Sequence, residues 1–329
     1  MKQVTRLTHI LLLIAFVCAP LTAAFGGSYK KLVVFGDSLS DHGNMNAIFN
    51  TAPVTWSNGD IWVDYLARTW SVSAANLTNK AYGGAMTSSH LTAYAYQNDG
   101  NAANDAYIPT LQALGFKEQV TAYVGASPQI DSSQTLFAIW IGSNDIDHYL
   151  TRQAAGDTTL PAAATYIQTA VTRIKDAVVQ LSGSGARHFL LLNIPDIGKT
   201  PKLASQSQAI KDAATQFSRQ FNLAMQAAVE GAVNTLNGTT KGHTLEQFDT
   251  FTFLEKVITE QRFPNTTGTL VVLDGNGNRT SAMNSPVSDY LFWDAIHPTT
   301  KAHEILAGEV NSQMVSGSSG CFINAAAPF

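Results

Sequence analysis

Residues 31–44 read KLVVFGDSLSDHGN. Leu32 to Phe35 are four apolar residues without polar alternation, the pattern of a strand covered on both faces in a parallel sheet. The run stops on Gly36-Asp37-Ser38, and Ser40-Asp41-His42-Gly43-Asn44 follows at once. A strand and a turn account for this pattern. So does a nucleophile held at the mouth of a sheet, and the rest of the chain decides between the two.

Outward from this stretch, other short apolar runs read as buried strands. They are TLFAIWIGS (135–143), HFLLLNIP (188–195) and weaker runs at 243–249 and 269–273. Between them lie helical patterns. Residues 161–181 place Ile167, Val171, Ile174, Val178 and Leu181 at three- and four-residue steps, and residues 206–235 do the same around Phe217, Phe221 and Val229. Strands alternating with helices predict an α/β fold with right-handed crossovers. Residues 84–134 are less periodic and read as an insertion of loops and short helices over the sheet.

The chain has 329 residues and a formal net charge of −4. Residues 1–24 read as a signal peptide: Lys2 and Arg6, then the apolar ILLLIAFVCA, then small residues offering cleavage near Ala24. That apolar run is short for a bilayer span. Removing the segment takes away positive charge only, so the remainder is more acidic, a poor match to nucleic acid. Residues 25–329 suit one large α/β domain, expected to be secreted or periplasmic, with no membrane span after signal cleavage. Cys18 falls in the signal peptide, which leaves Cys321 without an internal disulfide partner.

In an open α/β sheet, ligands bind beyond the carboxyl ends of the strands. Ser38 follows the first run, Asn144 in Gly142-Ser143-Asn144-Asp145 follows the second, and Asp196 follows the third. A serine and an asparagine amide on one edge supply a nucleophile and an oxyanion donor. The serine needs a base, and the base needs an orienting acid. DAIHP (294–298) supplies both as Asp294 and His297, in a loop entering the last helix. His148, His188 and His303 read as structural or solvated. DGNGN (274–278) reads as a turn, since Arg279 and Ser285 stand where a calcium loop needs Gly and Glu. No metal, nucleotide or other cofactor is implied.

In this order the residues resemble the GDSL, or SGNH, family of serine esterases and lipases. VVFGDSLSDHGN is similar to the family's first block, AYGGAMTS (81–88) to the second, IWIGSND to the third and DAIHP to the fifth. WSNGDIWVDYLA (56–67) and LLNIPDIGKTP (191–201) resemble its connecting segments. The resemblance implies a three-layer α/β/α sandwich with a flavodoxin-like parallel sheet, one hydrolase domain over residues 25–329, and no cofactor. It implies Ser38, Asp294 and His297 as the catalytic triad. The oxyanion hole would be Ser38, Gly84 (with Gly83 as the alternative) and Asn144. Within the family, the chain resembles the bacterial secreted phospholipase, lysophospholipase and glycerophospholipid:cholesterol acyltransferase group, and also plant lipases. Members of that bacterial group often carry a late cysteine pair, which Cys321 alone does not provide.

The expected function is release of fatty acids from lysophospholipids or phospholipids at a membrane or micelle surface, with acyl transfer where an alcohol replaces water. A short-chain esterase or carbohydrate O-deacetylase would use the same triad, and a non-catalytic binding protein would lack part of it. The tyrosines of residues 90–107 are expected either to rim an acyl groove or to lie in an ordinary surface loop.

Overall fold

The computed structural model describes residues 29–49, 56–275 and 278–317. The signal-peptide segment, Cys18 and Cys321 lie outside these residues.

A five-stranded parallel sheet forms the centre. Its strands are β1 (Lys31–Gly36), β2 (Leu77–Asn79), β3 (Thr135–Trp140), β4 (His188–Leu192) and β5 (Thr244–Phe248), in the spatial order β2-β1-β3-β4-β5. This is the flavodoxin-like order, whose direction of winding reverses between β1 and β3. The four apolar runs predicted for these strands fall where expected. The three-residue β2 has no apolar run to announce it. The run at 269–273 joins two small sheets instead, made by β6 (Asn265–Thr269) with β9 (Tyr290–Phe292) and by β7 (Val271–Leu273) with β8 (Arg279–Met283).

The helices are α1 (Asn44–Phe49), α2 (Trp62–Thr69), α3 (Leu91–Gln97), α4 (Ala102–Asp105), α5 (Ile108–Gln112), α6 (Phe116–Gly125), α7 (Ser143–Ala154), α8 (Ala163–Gly183), α9 (Gln208–Thr239), α10 (Thr250–Thr259) and α11 (Thr300–Ser316). Side chains alternate across the strands, so each strand feeds two cores. Val33 and Phe35, Phe137 and Ile139, and Phe189 and Leu191 pack with α6, α8 and α9. Leu32 and Val34, Leu136 and Ala138, and Leu190 and Leu192 pack with α2 and α11. Helices on both faces account for the unbroken apolar runs. The predicted insertion is α3 to α6, of which only α6 contributes to the sheet's core, through Phe116, Val120 and Tyr123.

Candidate active site

The reversal between β1 and β3 opens a crevice at the carboxyl edge of the sheet, and the candidate residues meet there. Ser38 lies two residues past β1 and Asn144 opens α7 after β3. Asp294 and His297 lie in the turn between β9 and α11. Ser38 Oγ is 2.8 Å from His297 Nε2. His297 Nδ1 lies 2.9 and 2.8 Å from the two Asp294 oxygens. An ionised carboxylate only accepts, so Nδ1 carries the proton and Nε2 turns a lone pair to the Ser38 hydroxyl. Asp294 Oδ1 also accepts the Ile296 and His297 backbone N–H groups at 3.0 and 2.8 Å. Burial alone would raise the Asp294 pKa. The His297 charge and these hydrogen bonds outweigh it and hold the carboxyl below its ordinary value. Pro298 and Thr299 precede α11, with Thr299 as its N-cap, accepting the Ala302 N–H.

Of the two candidate glycines, Gly83 donates its N–H to Asp41 Oδ2 at 2.8 Å, which removes it as an oxyanion donor. Gly84 remains. Its φ is +83°, and an added Cβ would sit 2.6 Å from the His90 ring, so both backbone and neighbour require glycine. His90 holds this turn. Its Nδ1 accepts the Thr92 N–H at 3.2 Å, so Nε2 donates to the Gly83 carbonyl at 2.6 Å. Asn144 Nδ2 donates to the Ala85 carbonyl at 2.8 Å, tying the third block to the second.

The second half of the opening motif has a separate task. Asp41 Oδ1 accepts from the N–H groups of Gly43 and Asn44, while Oδ2 accepts from Met45, Trp56 Nε1 and Gly83. One carboxylate thus joins the turn after β1 to the glycine loop after β2. Asp145 joins that loop to α7 by accepting the Thr87 N–H and hydroxyl at 2.9 and 2.6 Å. Burial pushes Asp145 up to about 6 and Asp37 up to about 7, the latter helped by Asp145 and Asp41.

Two further residues stand beside Asp294 and His297: Trp56, from the segment that resembles a family connector, and Arg279, which no motif singled out. The Trp56 ring packs at 5.1 Å on the His297 ring. Arg279, at the start of β8, lies 5.7 Å over the Trp56 ring and 3.8 Å from Asp294 Oδ2. Sequence reading weighed Arg279 only against a calcium loop. A long-range contact of this kind leaves no local signal.

A cavity of about 80 Å³ opens at Ser38 and His297. Its walls are Leu291 and Phe292 of β9, Phe253 and Leu254 of α10, and Ala302 and Leu306 of α11, with Trp140 beneath. The tyrosines of residues 90–107 take no part in it. Tyr94 packs edge-on against His148 at 4.2 Å and beneath Arg152, and Tyr96 faces Tyr107. Of the two expectations for these tyrosines the surface loop fits: Tyr94 ties the insertion to α7, and Tyr96 and Tyr107 pack within it. Asp196, the third edge residue, caps a short 3₁₀ turn by accepting the Gly198 N–H and the Thr215 hydroxyl.

A second serine–histidine contact joins Ser182 Oγ to His243 Nε2 at 2.6 Å. It sits at the opposite edge, before β4 and β5 begin. His243 Nδ1 donates to the Thr240 carbonyl at 2.8 Å, and no carboxylate partners this ring among the described residues.

Residues 32–310 match the family model described as GDSL-like Lipase/Acylhydrolase. The chain belongs to this family. Its relatives carry several specificities. It is 26% identical over 310 residues to the thermolabile hemolysin of Vibrio parahaemolyticus, covering 84% of this chain and 62% of that one. It is 29% identical over 226 residues to the phosphatidylcholine-sterol acyltransferase of Aeromonas hydrophila, covering 63% and 57%. It is 27% identical over 231 residues to an acetylesterase of Thermothelomyces thermophilus, covering 65% and 69%. The chain thus spans less than two thirds of the length of the first two. No helix among the described residues is long and apolar enough to cross a membrane.

Proposed function

We propose that this GDSL hydrolase cleaves acyl esters of lysophospholipids or phospholipids through a Ser38–His297–Asp294 triad. The observation that carries the reading is the unbroken chain from Ser38 Oγ through His297 to Asp294 at the carboxyl edge of the sheet.

Ser38 Oγ attacks the ester carbonyl while His297 Nε2 takes its proton, and Asp294 stabilises the imidazolium that forms. The oxyanion is held by the Ser38 and Gly84 N–H groups and by Asn144 Nδ2. His297 returns the proton to the leaving alkoxide, and an acyl-enzyme remains. Water, activated by the same ring, releases the acid. An alcohol in place of water gives acyl transfer, the activity named for the Aeromonas relative. That relative, together with the apolar walls of the cavity, supports a lipid substrate. The likeness to an acetylesterase favours a second reading, a short-chain esterase or carbohydrate O-deacetylase on the same triad. The apolar leader of residues 1–24, cleaved near Ala24, supports export to the cell exterior or periplasm. The substrate then waits at a membrane or micelle surface.

The test is fatty-acid release from lysophosphatidylcholine micelles, with Ser38→Ala alongside and an acetyl ester as reference. Release by the wild type alone, faster than acetyl ester cleavage, supports the reading. Acetyl cleavage without lysolipid release keeps the triad and moves the substrate to short acyl esters.

A further inference from the structure

Arg279 meets the acid of the triad from a part of the chain that no catalytic motif covers. It opens β8 and pairs with Leu273 across the β7–β8 hairpin. The hairpin is fastened to the segment that delivers the acid. Leu270 and Val271 are buried, and their N–H groups donate to the Phe292 and Trp293 carbonyls, each at 2.9 Å. The far end is tied by the Asn284 N–H, which donates to the Leu270 carbonyl at 2.7 Å. Trp293 in turn donates its N–H to the His297 carbonyl at 2.7 Å. The backbone that carries Arg279 and the Asp294–His297 turn therefore share one hydrogen-bonded frame.

From this frame the guanidinium reaches two places. Its Nη1 lies 3.8 Å from Asp294 Oδ2, and its carbon lies 5.7 Å from the centre of the Trp56 ring. At 3.8 Å the contact with the carboxylate is one of charge, beyond hydrogen-bond length. The Arg279 side chain is 29% exposed and that of Asp294 10%, so water screens the pair only in part. Trp56 is itself fixed, since its Nε1–H donates to Asp41 and its ring packs on His297. Within Asp294, Oδ1 accepts the Ile296 and His297 backbone N–H groups, while Oδ2 has His297 Nδ1 and Arg279 as neighbours.

A cation at Oδ2 acts in two ways. It keeps the carboxylate ionised and in place. It also offsets part of the negative charge that stabilises the imidazolium, so the ring becomes a free base in more acid solution than it would beside an unaccompanied carboxylate. The other ionisable groups around the turn are Asp37 and Asp41 after β1, Asp147 of α7 with Lys202 upon it, and His303 of α11, which burial pushes down to about 3. Among the described residues, Arg279 is the side-chain cation paired with Asp294 besides His297 itself.

We propose that Arg279 is a positioning residue for the reaction: fixed by the hairpin, it holds the Asp294 carboxylate toward His297 and offsets part of its charge, which keeps the base working in mildly acid solution. This role rests on the Ser38–His297–Asp294 reading and adds the group behind its acid.

The experiment is the pH profile of kcat/KM for p-nitrophenyl butyrate, from about pH 4.5 to about pH 9, with KM for lysophosphatidylcholine measured beside it. The proteins are the wild type, Arg279→Met, Arg279→Lys and, as a control for lost charge, Arg262→Met. Arg262 lies past the end of α10 and pairs with Glu260 and Glu309. Arg279→Met moves the acid limb up by about one pH unit, the effect of removing a partly screened charge beside the acid. It lowers kcat on the plateau by up to about tenfold with KM unchanged. Arg279→Lys brings the limb most of the way back, because it restores the charge without the planar fork. Arg262→Met leaves the limb at the wild-type position. Circular dichroism checks the fold, and Arg279→Gln, which keeps a polar head on the hairpin, gives the same shift where the Met variant does not fold. An equal rate loss at every pH in Arg279→Met overturns the proposal and leaves the triad standing, as does a limb that moves as far in Arg262→Met. A rise in KM confined to lysophosphatidylcholine, with the limb unmoved, overturns it too and places the guanidinium on the substrate's phosphate. Absence of cleavage of both esters by the wild type overturns the hydrolase reading and this role together.

Discussion

Two buried serine–histidine pairs lie at opposite edges of one sheet. At the carboxyl edge Ser38 Oγ is 2.8 Å from His297 Nε2, and at the other edge Ser182 Oγ is 2.6 Å from His243 Nε2. In both, the far ring nitrogen donates to an oxygen, so both rings hold the tautomer a general base needs. The oxygens differ. Asp294 brings a negative charge, while Thr240 offers a neutral carbonyl. Arg187 near His243 pushes that ring further from protonation, after burial has lowered it. A carbonyl orients a ring, but it does not stabilise the imidazolium that proton transfer creates. The Ser38 pair also opens on a cavity that Asn144 lines. A serine near a histidine is therefore not a nucleophile by distance alone. The charge behind the ring and the space before the serine separate the two.

The comparison is broken most directly at the serines. Ser38→Ala lowers kcat by on the order of 10⁶ with the fold intact, measured by ester hydrolysis and circular dichroism. Ser182→Ala leaves the rate within about twofold and costs about 1–3 kcal/mol of stability in urea unfolding, because it strands a buried ring nitrogen. Equal rate losses in the two variants would defeat the distinction. The acid comes next. Asp294→Asn keeps the shape, but its amide donates toward Nδ1 and removes the charge, so kcat falls about 10⁴-fold. A loss under tenfold would place the orienting group elsewhere.

The smallest effect concerns stability. The Ser38 region holds the buried carboxyls Asp37, Asp41 and Asp145, and among the described residues the Ser182 pair has no carboxylate partner. Asp37 is pushed up to about 7 in the folded chain, against about 4 when unfolded. Between those values the folded state holds a proton that the unfolded state has released. Asp37 therefore subtracts stability as pH rises from about 4 to about 7. Asp37→Asn removes this contribution, so its stability relative to wild type grows across the same window, by on the order of 2–3 kcal/mol. Urea midpoints at pH 4.5 and 7.5 measure it, and a constant difference would show that Asp37 is ionised throughout.

Much of this was legible in the sequence. Unbroken apolar runs marked β1, β3 and β4, because a sheet covered on both faces favours apolar residues at every position, and a weaker run marked β5. Gly-Asp-Ser, Gly-Ser-Asn-Asp and Asp-x-x-His stood where the chain leaves those strands. Other features were not legible. Strand β2 is three residues at an edge, and its pairing with β1 is set by tertiary contact instead of local pattern. That the Gly83 N–H is already taken depends on Asp41, 42 residues upstream. Arg279 reaches Asp294 from a hairpin that read as a plain turn. For the tyrosines of residues 90–107 the sequence left groove rim and surface loop both open, because aromatic content does not say which way a ring faces.

Asp41 carries a consequence for anyone transplanting this chemistry. Its two oxygens gather five donors from the nucleophile turn, from Trp56 and from the glycine loop. A graft of Ser38, Asp294 and His297 alone onto another parallel sheet would bring the proposed proton relay without the fastening between neighbouring loops. The portable unit is the triad together with residue 41 and the backbone it grips, and a scaffold unable to host that knot would present a serine with nothing waiting for its oxyanion.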